Sequence, residues 1–376
     1  MQPVGIVGGG LAGLTLAIQL AQKGIETILF EKKQYPFHRV CGEYIAIESW
    51  DFLERLGLSL QSLELPLIKK LRVSAPNGSF LEQPMKTGGF GISRYTLDNL
   101  LAELALKSGV KIIYENVENI SFQEKEDIFI LKTSTQEHIF KLVCGAFGKR
   151  SNLDIFLNRD FAKETKNASK QFIGVKYHIR LDFPDDVIEL HNFSGGYCGI
   201  SKIEGDKYCL CYLSESQNLT RNNSSIAEME KNIIFQNPFL KKYFSEAQFV
   251  YEKPLTISQI SFASKPIIEN HMLMLGDSAG MITPLCGNGM TMAMQASHIL
   301  HKYILNFLNG SFNRNTMEQA YQKDWNNTFA LRMKIGRFLQ NNLFGGTTTS
   351  NMAIGTLKHL PFVIQSLIKL THGKSY

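Results

Sequence analysis

The stretch Val4-Gly5-Ile6-Val7-Gly8-Gly9-Gly10-Leu11-Ala12-Gly13 reads as a short buried strand that runs into a glycine turn and then a helix. Apolar periodicity continues to Lys23, where Gly24 supplies a stop. Ile25 to Phe30 predicts a second strand, and Glu31 stands at its end, 18 residues past Gly13. A helix that starts at such a turn aims unpaired N–H groups and a positive dipole end at whatever lies there, which suits a pyrophosphate. Gly8 permits the tight turn, Gly10 lets phosphate approach the backbone, and Gly13 lets the helix pack on the strand, with Leu11 and Ala12 opening the helix. A carboxylate at position 31 suits hydrogen bonds from an adenosine ribose. Strand, turn, helix, strand and terminal acid in this order predict a dinucleotide-binding β-α-β unit.

Outward from this unit, a helix is expected over about Thr96 to Lys107, with Thr96 as N-cap, Asp98 in the first turn and Gly109 as stop. Strands follow at Val110 to Tyr114, as hairpins within 117–144, and at Leu142 to Ala146. Period-2 segments across 170–213 predict a sheet. Met272 to Leu275 is a further buried strand leading into Gly276-Asp277, and Met290 to Leu308 is a long helix stopped by Asn309-Gly310. Thr316 and Gln319 form a capping-box pattern, and Pro361 suits the first turn of a last short helix.

Composition narrows the class. With 376 residues, 44% hydrophobic and 20% charged, the chain buries a sizeable core and divides into about two to three units. Residues 331–376 carry six basic groups (Arg332, Lys334, Arg337, Lys358, Lys369, Lys374) and no acid, and without them 34 basic residues balance 34 acidic ones. A nucleic-acid binder would spread its basic field over a folded domain, so none is expected. Six scattered cysteines include no C-x-x-C, so no metal site is expected, and Cys209 with Cys211 places two thiols on one face of a strand. No basic leader and no run of about 18 apolar residues occurs, so a reduced cytoplasmic protein is the expectation.

NAD and FAD both use a β-α-β unit of this kind, so further motifs must separate them. In order, the chain carries Gly8 to Gly13, Glu31-Lys32, Arg39-Val40-Cys41-Gly42-Glu43, Arg94 with Asp98, and Gly276-Asp277-Ser278-Ala279-Gly280 followed by Pro284, Gly287-Asn288-Gly289 and Met290. Together these resemble the FAD-dependent monooxygenases of the single-component aromatic hydroxylase class and the related geranylgeranyl reductases, over residues 4–300. The resemblance implies an α/β fold, with a Rossmann-type FAD-binding domain, a second β-rich substrate domain and a helical C-terminus. Its domains are expected at 1–75, 95–155 and 266–310 for FAD, 76–94 and 156–265 for substrate, and 311–376 for the helical end. It also implies that Glu31 holds the ribose, with Lys32 beside it, that Arg39 and Arg94 flank the cofactor, that Asp277 meets the ribityl chain, and that Cys41 lies by the flavin ring. Gly287 to Met290 would set a helix N-terminus against the pyrimidine edge, where reduced flavin is anionic. Where the family often carries Asp-Gly, this chain has Phe147-Gly148, which leaves the electron donor, expected to be transient NAD(P)H, less defined.

Reduced FAD in this family has two fates: reaction with oxygen at C4a and hydroxylation of an electron-rich carbon, or hydride transfer to an activated double bond. The first needs a dry pocket. Prenyl-chain reductases carry Tyr-x-Trp-x-Phe-Pro where this chain keeps Tyr197 but has Gly199, Ser201 and Lys202. The halogenase Trp-x-Trp pattern is missing, since the tryptophans are Trp50 and Trp325. The expected function is hydroxylation of an aromatic or polyketide-like lipophilic small molecule. Isoprenoid reduction is the alternative, and flavin binding without turnover a second one. Tyr197 would bond a phenol or donate a proton, Cys41 would line the pocket or donate a proton, and His178 or His191 is a conceivable base. The segment 331–376 is open to two readings: helices packed on the substrate domain, or a basic amphipathic surface meeting anionic lipid at the inner face of the membrane.

Overall fold

A computed structural model describes residues 3–162, 171–282, 288–343, 346–371 and 376. The opening unit forms as the glycine pattern requires. Strand β1 (Val4–Val7) is buried along its length, and helix α1 (Leu11–Ala21) follows with Gly10 as N-cap. Strand β2 (Thr27–Phe30) pairs in parallel with β1, Val4 opposite Thr27. Downstream lie β3 (Tyr44–Ala46), β4 (Leu67–Ser74), β5 (Phe80–Gly91), helix α2 (Arg94–Lys107), β6 (Lys111–Ile113), the three-stranded set β7 (Val117–Gln123), β8 (Ile128–Thr133) and β9 (Glu137–Phe140), and β10 (Leu142–Gly145).

The chain then adds β11 (Phe172–Arg180), β12 (Val187–Phe193), β13 (Gly196–Lys202), β14 (Tyr208–Glu215), β15 (Gln248–Phe249), β16 (Leu255–Ile260), β17 (Ile268–Glu269) and β18 (Met272–Met274). Helices α3 (Gly289–Leu308), α4 (Arg314–Leu343), α5 (Thr347–Leu357) and α6 (Pro361–Thr371) complete it.

Among the described residues the first sheet runs β17-β18-β10-β1-β2-β6, parallel except at the β17 edge. From β1 the chain moves outward on one side through β2 and β6, and later returns on the other side through β10 and β18. The carboxyl ends of β1 and β10 therefore flank a topological switch point, where open α/β sheets bind ligands. Helices α1 and α3 pack side by side on this sheet, joined by Thr15 Oγ1 and Ser297 Oγ at 2.7 Å within a largely apolar core.

The second sheet runs β15-β11-β14-β13-β12-β4-β5-β3, with β16 also on β11. One face, with Val175, Tyr177, Ile200, Leu210 and Tyr212, is buried under short helices around residues 226–246. The pleat turns Lys176, His178, Cys209, Cys211, Leu213, Tyr197, Gly199 and Ser201 to the other face, since Lys176 pairs with Cys211, His178 with Cys209, and Gly199 with Cys211. The two thiols of Cys209 and Cys211 thus share a face as the alternation predicts. Strand β4 lies in this sheet, parallel to β12, so the sheet also recruits residues before position 76.

Candidate functional site

The motif loops converge at the carboxyl ends of the first sheet. Gly8 has φ +109, and a Cβ there would stand 2.3 Å from the Ala146 carbonyl oxygen. At Gly13 a Cβ would meet Gly8 O at 2.0 Å, so helix and strand approach only because both positions lack side chains. Gly10 is different. A Cβ there would meet only the Arg94 guanidinium, at 3.7 Å, so the protein leaves this space clear. Leu11 and Ala12 are buried in the first turn, and Ala12 faces the distant Gly-Asp motif: a Cβ on Gly276, where φ is +62, would lie 3.1 Å from Ala12 Cβ.

Glu31 lies at the tip of β2 with 6% exposure. Its carboxylate accepts from the Gly9 N–H (3.1 Å), the Lys33 N–H (3.2 Å) and the Arg39 guanidinium (3.0 Å). A carboxylate offers about four lone-pair directions, which leaves room for a ribose hydroxyl. Lys32 is exposed next to it. Gly9, given no role by the spacing argument, accepts at its carbonyl from Tyr35 Oη (2.5 Å) and Arg39 (3.1 Å). Arg39 and Arg94 do flank the turn, and one carboxylate organises both: Asp98 takes Arg39 Nε at 2.8 Å and Arg94 Nε and Nη2 at 2.6 and 2.8 Å. Asp98 is therefore an arginine clamp past the first turn of α2. The N-cap of α2 is Ser93, whose Oγ accepts from the Thr96 N–H at 3.1 Å, rather than Thr96 itself.

On the opposite rim, Asp277 sits half-buried in a short 3₁₀ turn, Gly276–Ser278. Ser278 Oγ donates to Gly145 O, which pins this turn to the end of β10. Helix α3 begins at Gly289 with Asn288 as N-cap and Met290 buried. Pro284 and Gly287 lie outside the described residues. Where the resemblance expected an aspartate, Phe147 packs on the core by Gly8, and two lysines meet instead. Lys265 Nζ donates to Asp277 O (2.8 Å) and Lys149 O (3.3 Å), and Lys149 Nζ donates to Val40 O (3.3 Å). Burial pushes the Lys265 amine down to about 8.

Facing this crevice is a buried charge network centred on Glu43. The residue adopts φ +57, rare for a side-chain-bearing residue, and is fully buried. Its carboxylate accepts from the Arg94 N–H (2.7 Å) and Lys176 Nζ, and bonds His178 Nε2 (2.6 Å), while Tyr251 Oη holds His178 Nδ1. Burial pushes this acid up, but the Lys176 ammonium and the His178 hydrogen bond outweigh it and hold the group at about 2. Cys209 Sγ donates to Cys41 O at 3.3 Å, so Cys41 is seated against this same face of the second sheet. Donor atoms of Glu43, His178 and Cys209 lie within 4.8 Å of one another. Lys176 and the Arg94 N–H already engage the carboxylate, so the cluster is a hydrogen-bonded ion network rather than a cation site.

Tyr197 lies on that face too, 5% exposed, in a cluster with Val73, Leu81, Leu190, Leu213, Ile260 and Met281. Met281 follows the Gly276–Ser278 turn, so this cluster abuts the crevice. His191 points to the opposite face. Its ring bonds Ser74 Oγ and Glu189 at 2.8 Å each, and it is buried away from the crevice, which removes it as a base. The network role of Glu43, and the residues Lys176 and Tyr251, escape sequence reasoning because their partners are far apart in the chain. Asp98, paired with Arg94 in the sequence, bonds Arg39 as well, and that second partner lies 59 residues away.

A Rossmann-type turn with a clear Gly10, a buried acid at the tip of the second strand and a Gly-Asp turn on one crevice define a flavin dinucleotide-binding oxidoreductase scaffold, and the residues present fit FAD. The chain belongs to the FAD binding domain family, matched over residues 1–325. It is 24% identical over 372 residues to conditioned medium factor receptor 1 of Dictyostelium discoideum, covering 89% of this chain and 70% of that protein. It is 24% identical over 360 residues to the digeranylgeranylglycerophospholipid reductase of Methanococcus vannielii, covering 90% and 84%. A third relative, the kynurenine 3-monooxygenase of Christiangramia forsetii, is 24% identical over 326 residues, covering 80% and 72%. Among solved structures, the flavin-dependent brominase Bmp2 matches with TM-score 0.79 at 18% identity, covering 98% of this chain and 93% of that one. A geranylgeranyl bacteriochlorophyll reductase-like protein from Thermoplasma acidophilum matches with TM-score 0.78 at 17% identity, covering 100% and 96%. At these identities the structural likeness is one of fold. The protein is an FAD-dependent oxidoreductase. No described helix is long and apolar enough to cross a membrane.

Proposed function

We propose that this protein is an NAD(P)H-dependent monooxygenase that hydroxylates an aromatic or polyketide-like, lipophilic small molecule. The observation that carries the reading is the wall of the second sheet next to the crevice. It keeps Tyr197 but has glycine at position 199, where a Cβ would meet nothing closer than Leu190 Cδ2 at 3.4 Å. The reductase pattern fills that position with tryptophan, whereas here no side chain projects from it. Tyr197 borders this position, and Leu190, Leu213, Ile260 and Met281 beside it form the apolar surroundings that a dry pocket needs. Bound FAD supplies the two-electron chemistry and the activation of oxygen. Arg39, Arg94 and Glu31 would hold its dinucleotide arm, and Asp277 with the start of α3 would meet the flavin end.

A second reading, reduction of isoprenoid double bonds, is favoured by Cys41. Its carbonyl accepts from Cys209 at the edge of the crevice, a place from which a thiol could deliver a proton to a carbon. Two measurements separate the readings. Monooxygenation predicts oxygen uptake coupled to NAD(P)H oxidation, raised several-fold by an alkylated phenol. Anaerobic saturation of a prenyl chain by the dithionite-reduced protein, without phenol-stimulated oxygen uptake, would replace the first reading with the second.

A further inference from the structure

Helices α5 and α6 form a tight pair. Leu360 N–H donates to Leu357 O at 2.8 Å, and Val363 N–H to Leu360 O at 3.0 Å, so the two helices join through only Lys358, His359 and Leu360. One side of the pair faces inward. Ile354 and Ile364, 2% and 7% exposed, belong to the same apolar cluster as Tyr197 and Met281, with Leu357 and Ile368 packed against it. The other side is apolar as well, yet open. Met352 is 70% exposed, Leu360 45%, Phe362 79% and Val363 39%, gathered around the bend with Lys358 and His359 exposed among them. A fold that only needed to cover the Tyr197 cluster would present polar residues here, and an apolar patch rimmed by basic groups marks an interaction surface.

We infer that the α5–α6 bend is a docking surface for an anionic lipid bilayer, placed so that a lipophilic substrate passes from the membrane to the Tyr197 wall. The charge identifies the occupant. Residues 331–376 contain six basic residues and no acidic one, while the rest of the chain is balanced. A second copy meeting the same patch about a two-fold axis would bury two Lys358 ammonium groups in one interface with no acid from residues 331–376 to pair them, which opposes self-association through this face. An anionic surface accepts both the basic rim and the inserted Phe362. One basic group is not available: Arg332 turns inward to Glu48 at 3.9 Å and Gln295 at 3.4 Å. At the bend itself the attraction falls to the exposed Lys358. The route to Tyr197 rests on the lipophilic substrate proposed above; the bilayer contact does not.

The test uses the full FAD-loaded chain and vesicles of phosphatidylcholine with or without phosphatidylglycerol. Cosedimentation should need phosphatidylglycerol, weaken with salt, and fall at least about tenfold in the double variant Leu360→Ser with Phe362→Ser. Flavin content and melting temperature should stay unchanged, because both residues are exposed. Absence of vesicle binding, or equal binding by the variant, would overturn the inference. So would a concentration-dependent dimer in size-exclusion chromatography that the variant abolishes while vesicle binding is missing. Vesicle binding is read without turnover, so a wrong reaction assignment leaves this result standing, and failed docking leaves hydroxylation of a water-soluble phenol untouched.

Discussion

Two glycines of one turn make opposite demands. At Gly13 an added methyl would lie 2.0 Å from a backbone oxygen, so Gly13→Ala forces helix and strand apart and should destabilise the fold by a few kcal/mol. At Gly10 the same methyl meets nothing closer than 3.7 Å, and its φ of −88 is ordinary for alanine. Gly10→Ala should fold as well as the parent in a urea titration and still bind FAD at least about tenfold more weakly, because the space is reserved for phosphate. Equal FAD affinity in Gly10→Ala would show that the phosphate runs elsewhere. Glu43 carries a different kind of prediction. Its folded value of about 2 lies below the ordinary 4.5, so its stabilisation is complete above pH 4.5 and is lost as pH falls through 2. Glu43→Gln also leaves Lys176 buried beside a neutral partner and should cost about 3–5 kcal/mol near pH 7. The stability gap between parent and variant should narrow from pH 4.5 towards pH 2 in denaturant melts. A gap of constant size would mean that Glu43 is not the ionised centre of the network.

At the scale of elements, helix α2 places Arg94 and Asp98, and its first turn is tied to the second sheet. Glu204, after strand β13, accepts from the Ser93 N–H at 2.7 Å and from Thr96 Oγ1 at 2.7 Å, while Ser93 Oγ caps the helix. Ser93→Ala should cost about 1–2 kcal/mol and loosen Arg94, which a urea titration and an FAD titration would register together. A loss of stability with no change in FAD affinity would separate the cap from the arginine clamp. This helix also marks the limit of what a sequence exposes. Its end at Gly109 and its apolar stripe are local and legible. Its start is not, because Ser93 and Thr96 are both cap-forming residues and the carboxylate that settles the matter arrives from 108 residues away. The start of α4 follows the same logic: Asn313 Oδ1 accepts from the Thr316 N–H at 2.8 Å, so Asn313 takes the capping place that the Thr316 pattern suggested for itself. The opening β-α-β unit is legible since every one of its signals lies within about 30 residues. Alternation in 170–213 reveals strands, but it does not reveal that β12 pairs in parallel with the distant β4.

Across the whole molecule, two sheets meet at one crevice. The first supplies the glycine turn, Glu31 and the Gly-Asp turn, and the second supplies the wall with Tyr197, Lys176, His178 and the thiols. Ranking the glycines and the acid of the first sheet is possible from spacing alone. Assembling the wall is not, because Glu43 and Lys176 stand 133 residues apart and only the folded chain makes them neighbours. The central claim is that one FAD spans the crevice from Glu31 to Asp277. It is tested most directly by titrating FAD into the deflavinated full chain and reading absorbance and flavin fluorescence, with Glu31→Ala and Asp277→Ala alongside. The account predicts one equivalent bound, with a perturbed flavin spectrum, and weaker binding in both variants. A well-folded chain that takes up no FAD, or that binds it equally well without either carboxylate, would contradict it.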